Sequence, residues 1–226
     1  MNKRNVAIYG LDGSGKSTVS EFLVSELDGY KKSNAIITPK EGNLAFTSAK
    51  EKLNDPNLPI NAAFLDLVES AEYDVVNYKY LGPTVQDDDT AVKLFSFLAG
   101  TGEGGHLMKR LIRNITDRRE LMKDDFDFYF LDADLGLVQE RLRKRKEYGT
   151  ISKIDKVYLE RFDMLQGAYS EYKSITKDIL GGRIIDVAKP SGLIKRPDEL
   201  GQEIIKLSNL QNFVKANALE RRTESA

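Results

Sequence analysis

The sequence predicts an α/β fold in which helices cover both faces of a mostly parallel sheet. Short β-branched or aromatic runs alternate with longer stretches whose apolar residues recur at helical spacing. Turn-forming residues such as Gly10 and Pro39 directly follow several of the short runs. Because ligands of such sheets gather at the carboxyl ends of the strands, candidate chemistry is expected directly after each predicted strand.

Predicted strands and helices alternate along most of the chain. The predicted strands are Asn5 to Tyr9, Asn34 to Thr38, Tyr73 to Tyr78, Phe126 to Leu131 and Arg183 to Val187. The clearest predicted helices are Lys16 to Leu27, Val92 to Leu98, Leu107 to Met122, Leu135 to Lys146, Val157 to Ile179 and Asp198 to Leu210. We expect a single domain over residues 1–215 and a frayed tail over 216–226, where apolar periodicity ends.

The overall composition excludes several classes of protein. The chain has 226 residues, 34 basic and 35 acidic, so its net charge of −1 argues against binding nucleic acid or an anionic membrane by bulk electrostatics. With no Cys and one His, it has no disulfides and a structural zinc site is not expected. No apolar run approaches the roughly 20 residues of a membrane span. We therefore expect a cytoplasmic protein without a membrane partner.

One motif carries specific chemistry: the segment 10–18, Gly-Leu-Asp-Gly-Ser-Gly-Lys-Ser-Thr, fits the pattern GxxxxGK[ST]. It lies between a predicted strand and a predicted helix, so its backbone N–H groups and the helix amino terminus are expected to face one phosphate. Lys16 would reach the β and γ phosphates of ATP, and Ser17 would ligate Mg²⁺. Asp12 has two interpretations: a solvated turn residue, or a carboxylate aimed at the hydroxyl of an acceptor. The expected ATP-binding residues of this loop are Gly10, Gly13, Ser14, Gly15, Lys16, Ser17 and Thr18.

A cationic run follows the fourth predicted strand, with five cations in the six positions 141–146. Helical spacing puts Arg141 and Arg145 on one face, with Arg143 to the side. A run of like charges is usually a solvated helix face. After a phosphate-binding loop we favour a lid, over about residues 139–155, in which Arg141 binds ATP while Arg143 and Arg145 close on the transferring phosphoryl group.

These motifs together resemble the P-loop nucleoside-monophosphate kinases, and among them the thymidylate kinase family. The resemblance rests on residues 10–18, which match GxDGxGKST, on 128–132 followed by the arginine-rich segment, on 158–169, and on 184–188. It implies a P-loop kinase fold with a five-stranded parallel sheet and an arginine-rich lid. It also implies transfer of the ATP γ-phosphoryl group to a (deoxy)nucleoside monophosphate, with dTMP favoured, with Mg²⁺, and in a homodimer. By the same resemblance, Asp12 would contact the acceptor's sugar hydroxyl or phosphate, and residues 189–192 would lie near the adenine. Some members of the family carry an Arg where this chain has Gly13. In this chain the arginines of the lid would supply that charge instead.

The predicted third strand departs from the family pattern. The family usually ends this strand with Asp-Arg-Tyr, whereas the chain reads Tyr78-Lys79-Tyr80. Lys79 remains a candidate contact for the acceptor phosphate, without the fork of an Arg. The missing acid would be supplied by Asp132 or by the run 87–89, although such a run can equally cap the next helix.

The acceptor side also leaves alternatives open. In the family, the base stacks on a Phe and is recognised by an Arg four residues later. Phe46 and Lys50 have this spacing. Phe64 and Val68 have it too, but without the cation. Lys40 is a candidate phosphate contact, and Tyr169 either lines the acceptor pocket or packs in the core.

Two other functions therefore compete with the leading one. One is a kinase acting on a nucleoside or on a modified base in DNA, in which nucleic acid enters only as the acceptor. The other is a catalytically inactive nucleotide-binding regulator, motivated by Tyr78 at the position of the family's acid.

Overall fold

A five-stranded, fully parallel sheet forms the centre of the fold. The computed structural model describes residues 4–33, 43–77, 82–87, 89–102 and 105–215. The strands lie in the order β2-β3-β1-β4-β5, and β1, at the centre, is buried along its whole length. The predicted α/β class is confirmed. The strands are β1 (Asn5–Tyr9), β2 (Lys31–Ser33), β3 (Thr84–Gln86), β4 (Phe126–Asp132) and β5 (Arg183–Asp186).

Helices flank the sheet and connect its strands. They are α1 (Lys16–Glu26), α2 (Leu44–Asn54), α3 (Phe64–Val76), α4 (Thr90–Thr101), α5 (Gly105–Met122), α6 (Leu135–Glu147), α7 (Lys153–Glu160), α8 (Phe162–Ser174) and α9 (Pro197–Leu207). The prediction of one helix from Val157 to Ile179 is wrong, because the backbone at Arg161 leaves the helical region (φ −128°, ψ 89°) and separates α7 from α8. Within the part of the chain that the structure describes, no helix is long and apolar enough to cross a membrane.

The third strand is not where the sequence predicted it. Residues Tyr73–Val76 are the last turn of α3, whose buried face includes Phe64, Leu67 and Ala71. The third strand is β3, which directly follows Gly82 and Pro83. The aromatic and β-branched run was misleading because it extends the helix, while the true strand has only three residues and no periodicity to detect. The second predicted strand, 34–38, lies outside the described residues, and the described β2 ends at Ser33.

Helix α4 is held in place by an unusually close contact with α8. A Cβ on Gly100 of α4 would lie 2.7 Å from the backbone oxygen of Met164, and a Cβ on Gly167 of α8 would lie 2.9 Å from the Cα of Gly100. The two backbones meet because both contact positions are glycine. The amino-terminal end of α4 lies only a few residues after the end of β3. This end of the helix is therefore near the edge of the sheet where the strands have their carboxyl ends.

Candidate active site

The loop between β1 and α1 is shaped for an anion. Gly10, Gly13 and Gly15 have φ angles of 143°, 90° and 104°, which strain any residue with a side chain. A Cβ on Gly10 would lie 2.8 Å from the Oγ of Ser14. No side chain caps the amino terminus of α1, and Ser14 Oγ is buried without a hydrogen-bond partner among the described residues. These donors suit a phosphate group.

A cavity of about 530 Å³, called here the loop cavity, opens in front of this loop. Lys16, with only 7% of its surface exposed, lies at its base. The Nζ of Lys16 donates to the backbone oxygen of Leu11 at 3.0 Å and to Asp12 Oδ1 at 3.2 Å. The lining residues are Asp12, Gly13, Gly15, Lys16, Ser17, Thr18, Glu21, Lys32, Asp87 and Arg145.

Asp12 joins two ammonium groups through one carboxylate. Its Oδ1 binds Lys16, and its Oδ2 lies 2.6 Å from the Nζ of Lys93, which comes from α4. Burial by itself would raise the pKa of Asp12, but the charges of Lys93 and Lys16 outweigh burial and hold that pKa well below its usual range. Asp12 is thus an ionised bridge between the loop and α4, and not a solvated turn residue.

A second carboxylate lies beside this bridge. Asp155, at the start of α7, is 2% exposed, and its Oδ1 has no hydrogen-bond partner among the described residues. Burial and the nearby charge of Asp12 raise the pKa of Asp155, while Lys93 and Arg145 act in the opposite direction. The junction between the loop and α4 therefore brings two carboxylates, Asp12 and Asp155, close to the cations of Lys16, Lys93 and Arg145.

Asp87 is the candidate for the acid expected after the third strand. It directly follows β3 and lines the loop cavity. Its Oδ2 accepts from Ser20 Oγ at 3.2 Å and lies 3.2 Å from Lys32 Nζ. Asp89, two residues later, caps α4 by accepting from the N–H groups of Ala91 and Val92. The capping interpretation of the acidic run is confirmed for Asp89, while supply of the missing acid by Asp87 stays a prediction; Asp88 lies outside the described residues.

Asp132, the other candidate acid, lies away from the loop cavity. It ends β4 and pairs with Lys173 at 2.5 Å, and it does not line the loop cavity. The described third strand, β3, begins at Thr84, so Asp87 from the run 87–89 replaces the earlier motif position as the candidate acid.

The donor set of the loop cavity fits Mg²⁺ held together with a phosphate. Among the described residues, no group of three or more His, Cys, Asp or Glu side chains could hold a metal by itself. Mg²⁺ usually takes only one or two protein ligands and completes its shell with phosphate oxygens and water. The hydroxyl of Ser17 and the carboxylate of Asp87 line the same cavity as Lys16, and such hard oxygen donors suit this ion.

The arginine-rich segment lies on α6 beside the loop. Arg141 Nη1 donates to the backbone oxygen of Gly13 at 2.6 Å. Arg145 lines the loop cavity, and its Nη1 lies 3.9 Å from Asp155 Oδ2. Arg143 is exposed and contacts Gln139. The predicted placement of Arg141 and Arg145 on one face, with Arg143 to the side, is confirmed, while closure over a ligand stays a prediction.

A smaller cavity of about 260 Å³ lies on the other side of the loop, between α6 and α9. It has a mixed lining in which Arg141 and Arg145 come from α6, Val187 and Lys195 follow β5, and Leu200 belongs to α9. Residues 189–192, which the resemblance puts near the adenine, do not line this cavity, although Val187 and Lys195 on either side of them do.

The predicted acceptor residues Phe46 and Lys50 line a cavity of about 440 Å³, called here the lysine cavity. Both come from α2, and Lys93 reaches the same cavity from α4. Its lining is Phe46, Lys50, Leu53, Asn54, Pro56, Leu67, Lys93, Ile151, Ser152, Lys153, Ile154 and Lys156. The cavity thus combines an apolar wall with several ammonium groups, whereas the alternative pair Phe64 and Val68 is buried in the core.

Of the remaining predicted acceptor residues, Tyr169 is described and is not brought to this cavity. Tyr169 packs edge-on against Phe130 of β4, with ring centroids 5.6 Å apart, and it does not line the lysine cavity; this placement favours the packing interpretation. Lys40 and Lys79 lie outside the described residues.

Sequence reasoning missed Lys93 and only weighed Asp87. One signal for Lys93 was available, because it is the single charged residue of α4. A lone cation in a largely buried helix is costly unless it meets an anion. For Asp87 the signal was its position directly after a strand too short to recognise.

The fold and the loop together define a class of protein, the P-loop kinase fold. It is set by the phosphate-binding loop at the end of β1, the parallel sheet in the order β2-β3-β1-β4-β5 and the flanking helices. No family model matches the sequence.

Comparisons with individual proteins point to particular relatives. A thymidylate kinase from Blochmanniella floridana is 26% identical over 204 residues, which cover 84% of this chain and 90% of the relative. A solved thymidylate kinase from Candida albicans superposes with a TM-score of 0.60 at 18% identity, covering 92% of this chain and 93% of that one. The thymidylate kinase from Ehrlichia chaffeensis gives 0.53 at 14% identity, with 92% and 99% covered. A deoxyadenosine kinase from M. mycoides gives 0.52 at 15% identity, with 91% and 98% covered. The chain therefore resembles thymidylate kinases in sequence and shares its fold with thymidylate and deoxynucleoside kinases.

Proposed function

We propose that this protein is a kinase that transfers the γ-phosphoryl group of ATP to a nucleoside monophosphate, with dTMP as the favoured acceptor. One observation carries the proposal: Asp12, held between Lys16 and Lys93, joins the loop cavity to the lysine cavity. A phosphate donor and an acceptor bound in these two cavities would meet at that junction. The sequence likeness to a thymidylate kinase supports the choice of acceptor.

The loop cavity suits the triphosphate of ATP. The N–H groups of the loop and the Nζ of Lys16 would hold the β and γ phosphates, so that Lys16 exchanges its contact with Leu11 for a phosphate oxygen. Ser17 and Asp87 would hold Mg²⁺, which when bound neutralises phosphate charge. The adenine would enter the smaller cavity beside Arg141.

The lysine cavity suits a nucleotide acceptor. Phe46, which lines this cavity, would stack with the base, and Lys50 is one helical turn away. In-line phosphoryl transfer depends on positioning and charge neutralisation, so no general base is required. Arg145 reaches the loop cavity from α6 and would stabilise charge on the transferring group. We propose further that residues 139–155 form a lid, and that Arg143 also approaches the transferring group when this lid closes. The proposed enzyme is a homodimer.

An acceptor panel tests the proposed reaction. The purified protein is incubated with radiolabelled ATP, Mg²⁺ and each deoxynucleoside, each deoxynucleoside monophosphate or DNA, and labelled products are separated. We expect transfer to a monophosphate, dTMP above the others, and its loss in Lys16→Ala. Transfer to nucleosides or DNA alone would refute the monophosphate acceptor while leaving the donor site intact.

A nucleoside acceptor is the second candidate. The fold shared with a deoxyadenosine kinase favours it over an acceptor in DNA, and the same panel separates the two. The inactive regulator was motivated by a missing acid after the third strand, and we propose that Asp87, which directly follows β3, supplies that acid.

A further inference from the structure

Lys32 brings a positive charge into the loop cavity from the second strand. It is the middle residue of β2 and lines this cavity. Its Nζ lies 3.2 Å from Oδ2 of Asp87 and 3.2 Å from Oε1 of Glu21. Partial burial by itself would lower the pKa of Lys32, but the carboxylates of Asp87 and Glu21 outweigh burial and raise that pKa. Lys32 is therefore an ammonium group at neutral pH that is shared between two carboxylates.

The two carboxylates differ in their surroundings. Asp87 is only 7% exposed, and the oxygen that faces Lys32 also accepts from the hydroxyl of Ser20. The side chain of Glu21 is 67% exposed, so water hydrates its charge. A buried carboxylate depends on a nearby cation far more than an exposed one does. Lys32 thus neutralises Asp87, while Glu21 offers Lys32 a second anion if another cation binds Asp87.

A divalent cation at Asp87 would meet this ammonium group. Two cations that share one carboxylate repel each other, and the repulsion is strongest where the carboxylate is buried. The phosphates of a nucleotide would carry negative charge into the same cavity and offset the repulsion, whereas a bare ion brings no such charge. Lys32 therefore opposes binding of the metal alone more than it opposes binding of the metal with a nucleotide.

Resting on the proposed function, we propose that Lys32 is an internal counter-ion of Asp87, which a divalent cation must displace, so that the site takes up its metal only together with a nucleotide. When it is displaced, Lys32 keeps its contact with Glu21. Lys32 acts through Asp87 and is in this sense a positioning residue for the metal.

Binding of Mn²⁺ tests this inference without turnover. Mn²⁺ prefers the same oxygen ligands as Mg²⁺, and electron paramagnetic resonance distinguishes the free ion from the bound ion. The Kd for Mn²⁺ is measured with and without a non-hydrolysable ATP analogue, and samples without protein correct for the ion held by the analogue alone.

Four variants are compared with the wild type, and the Tm reports whether each is folded. They are Lys32→Met, Lys32→Arg, Lys32→Met combined with Asp87→Asn, and Lys31→Met. Lys31→Met is the matched control, because Lys31 is the neighbouring lysine of β2 and does not line the loop cavity.

We expect the wild type to bind Mn²⁺ weakly alone and tightly with the analogue. Lys32→Met should strengthen the binding of Mn²⁺ alone by about 10-fold or more, because it removes the competing charge. Lys32→Arg, which keeps that charge, and Lys31→Met should each stay within about twofold of the wild type. Adding Asp87→Asn to Lys32→Met should abolish the gain.

Tight binding of Mn²⁺ alone to the wild type, or unchanged binding in folded Lys32→Met, would overturn the inference. So would an equal gain in Lys31→Met or Lys32→Arg, or a gain that persists after Asp87→Asn. Each of these results leaves the proposed reaction standing, provided that the wild type binds Mn²⁺ together with the analogue. A wild type that binds no Mn²⁺ even with the analogue would overturn the proposed metal site and this inference together.

Discussion

Arg118 Nη1 lies 3.3 Å from both carboxylate oxygens of Asp89, and neither residue is more than 3% exposed. The same carboxylate accepts from Tyr9 Oη at 3.0 Å and caps α4 through the N–H groups of its first turn. The cluster thus ties β1, α4 and α5 together. Since Lys93 is one turn into α4, its position at the junction of the two cavities depends on this buried cluster.

Replacing Asp89 by Ala should lower the free energy of unfolding by about 3–5 kcal/mol, because it leaves Arg118 buried without its main counter-charge. Urea denaturation followed by circular dichroism measures the change. Asp117→Ala removes an exposed partner of Arg113 on the same helix α5 and should change stability by less than about 0.5 kcal/mol. Equal losses in the two variants would refute the structural role of the cluster.

The stability of the protein should depend on the ionisation of Asp12. Its pKa is lowered in the folded state by Lys93 and Lys16, so its contribution is complete above the ordinary Asp pKa of about 3.9 and is lost as the pH falls below that value. The Tm of Asp12→Asn should therefore be lower than that of the wild type at pH 7, and the gap should narrow from about pH 5 downward.

Differential scanning calorimetry between pH 3 and pH 7 measures this gap. Asp124→Asn, which replaces an exposed carboxylate, should give a Tm close to that of the wild type at every pH. A gap for Asp12→Asn that stays constant across the range would contradict the ionised bridge.

Replacing Lys16 by Ala should reduce turnover by a factor on the order of 10² to 10³ or more, since it removes a preorganised positive charge from the transition state. Steady-state kcat with the acceptor found in the panel measures the effect. The unfolding transition of the variant serves as the control for folding. Wild-type turnover in a folded Lys16→Ala would rule out phosphoryl transfer at this loop.

The two exposed arginines of α6 should differ in their effect on turnover. Arg145 lines the loop cavity, whereas Arg143 contacts Gln139 away from it. Arg145→Ala should therefore lower kcat more than Arg143→Ala does, and should lower kcat more than it raises the KM for ATP. A larger loss for Arg143→Ala would mean that α6 rotates when the lid closes.

The parts of the fold that the sequence predicted are those with long, periodic patterns. The motif at 10–18 combined strict spacing with a strand before it and a helix after it, and both neighbours are confirmed as β1 and α1. Strand β3 was missed because three residues between Pro83 and Asp87 carry no pattern, while Tyr73–Val76 has strand-like composition and nevertheless completes the helix that Phe64 begins. Tertiary packing decided both cases.

The candidate site was predictable on its loop side and less so on its other side. The roles expected of Lys16 and Ser17 follow from local sequence, because both residues belong to one short motif whose members are neighbours in the chain. Asp87 and Lys93 come from a different strand and helix, and they meet the loop only through the sheet order, which no local pattern contains. The remaining signal for Asp87 and Lys93 in the sequence was that both are charged residues at positions where burial makes a charge costly.

The most direct test of the account is product analysis of a single reaction mixture of protein, ATP, Mg²⁺ and dTMP by ³¹P NMR. We predict that ADP and dTDP appear in equal amounts. ATP hydrolysed to ADP and inorganic phosphate with dTMP unchanged, or no reaction under conditions where the same sample binds both nucleotides, would contradict phosphoryl transfer across the Asp12 junction.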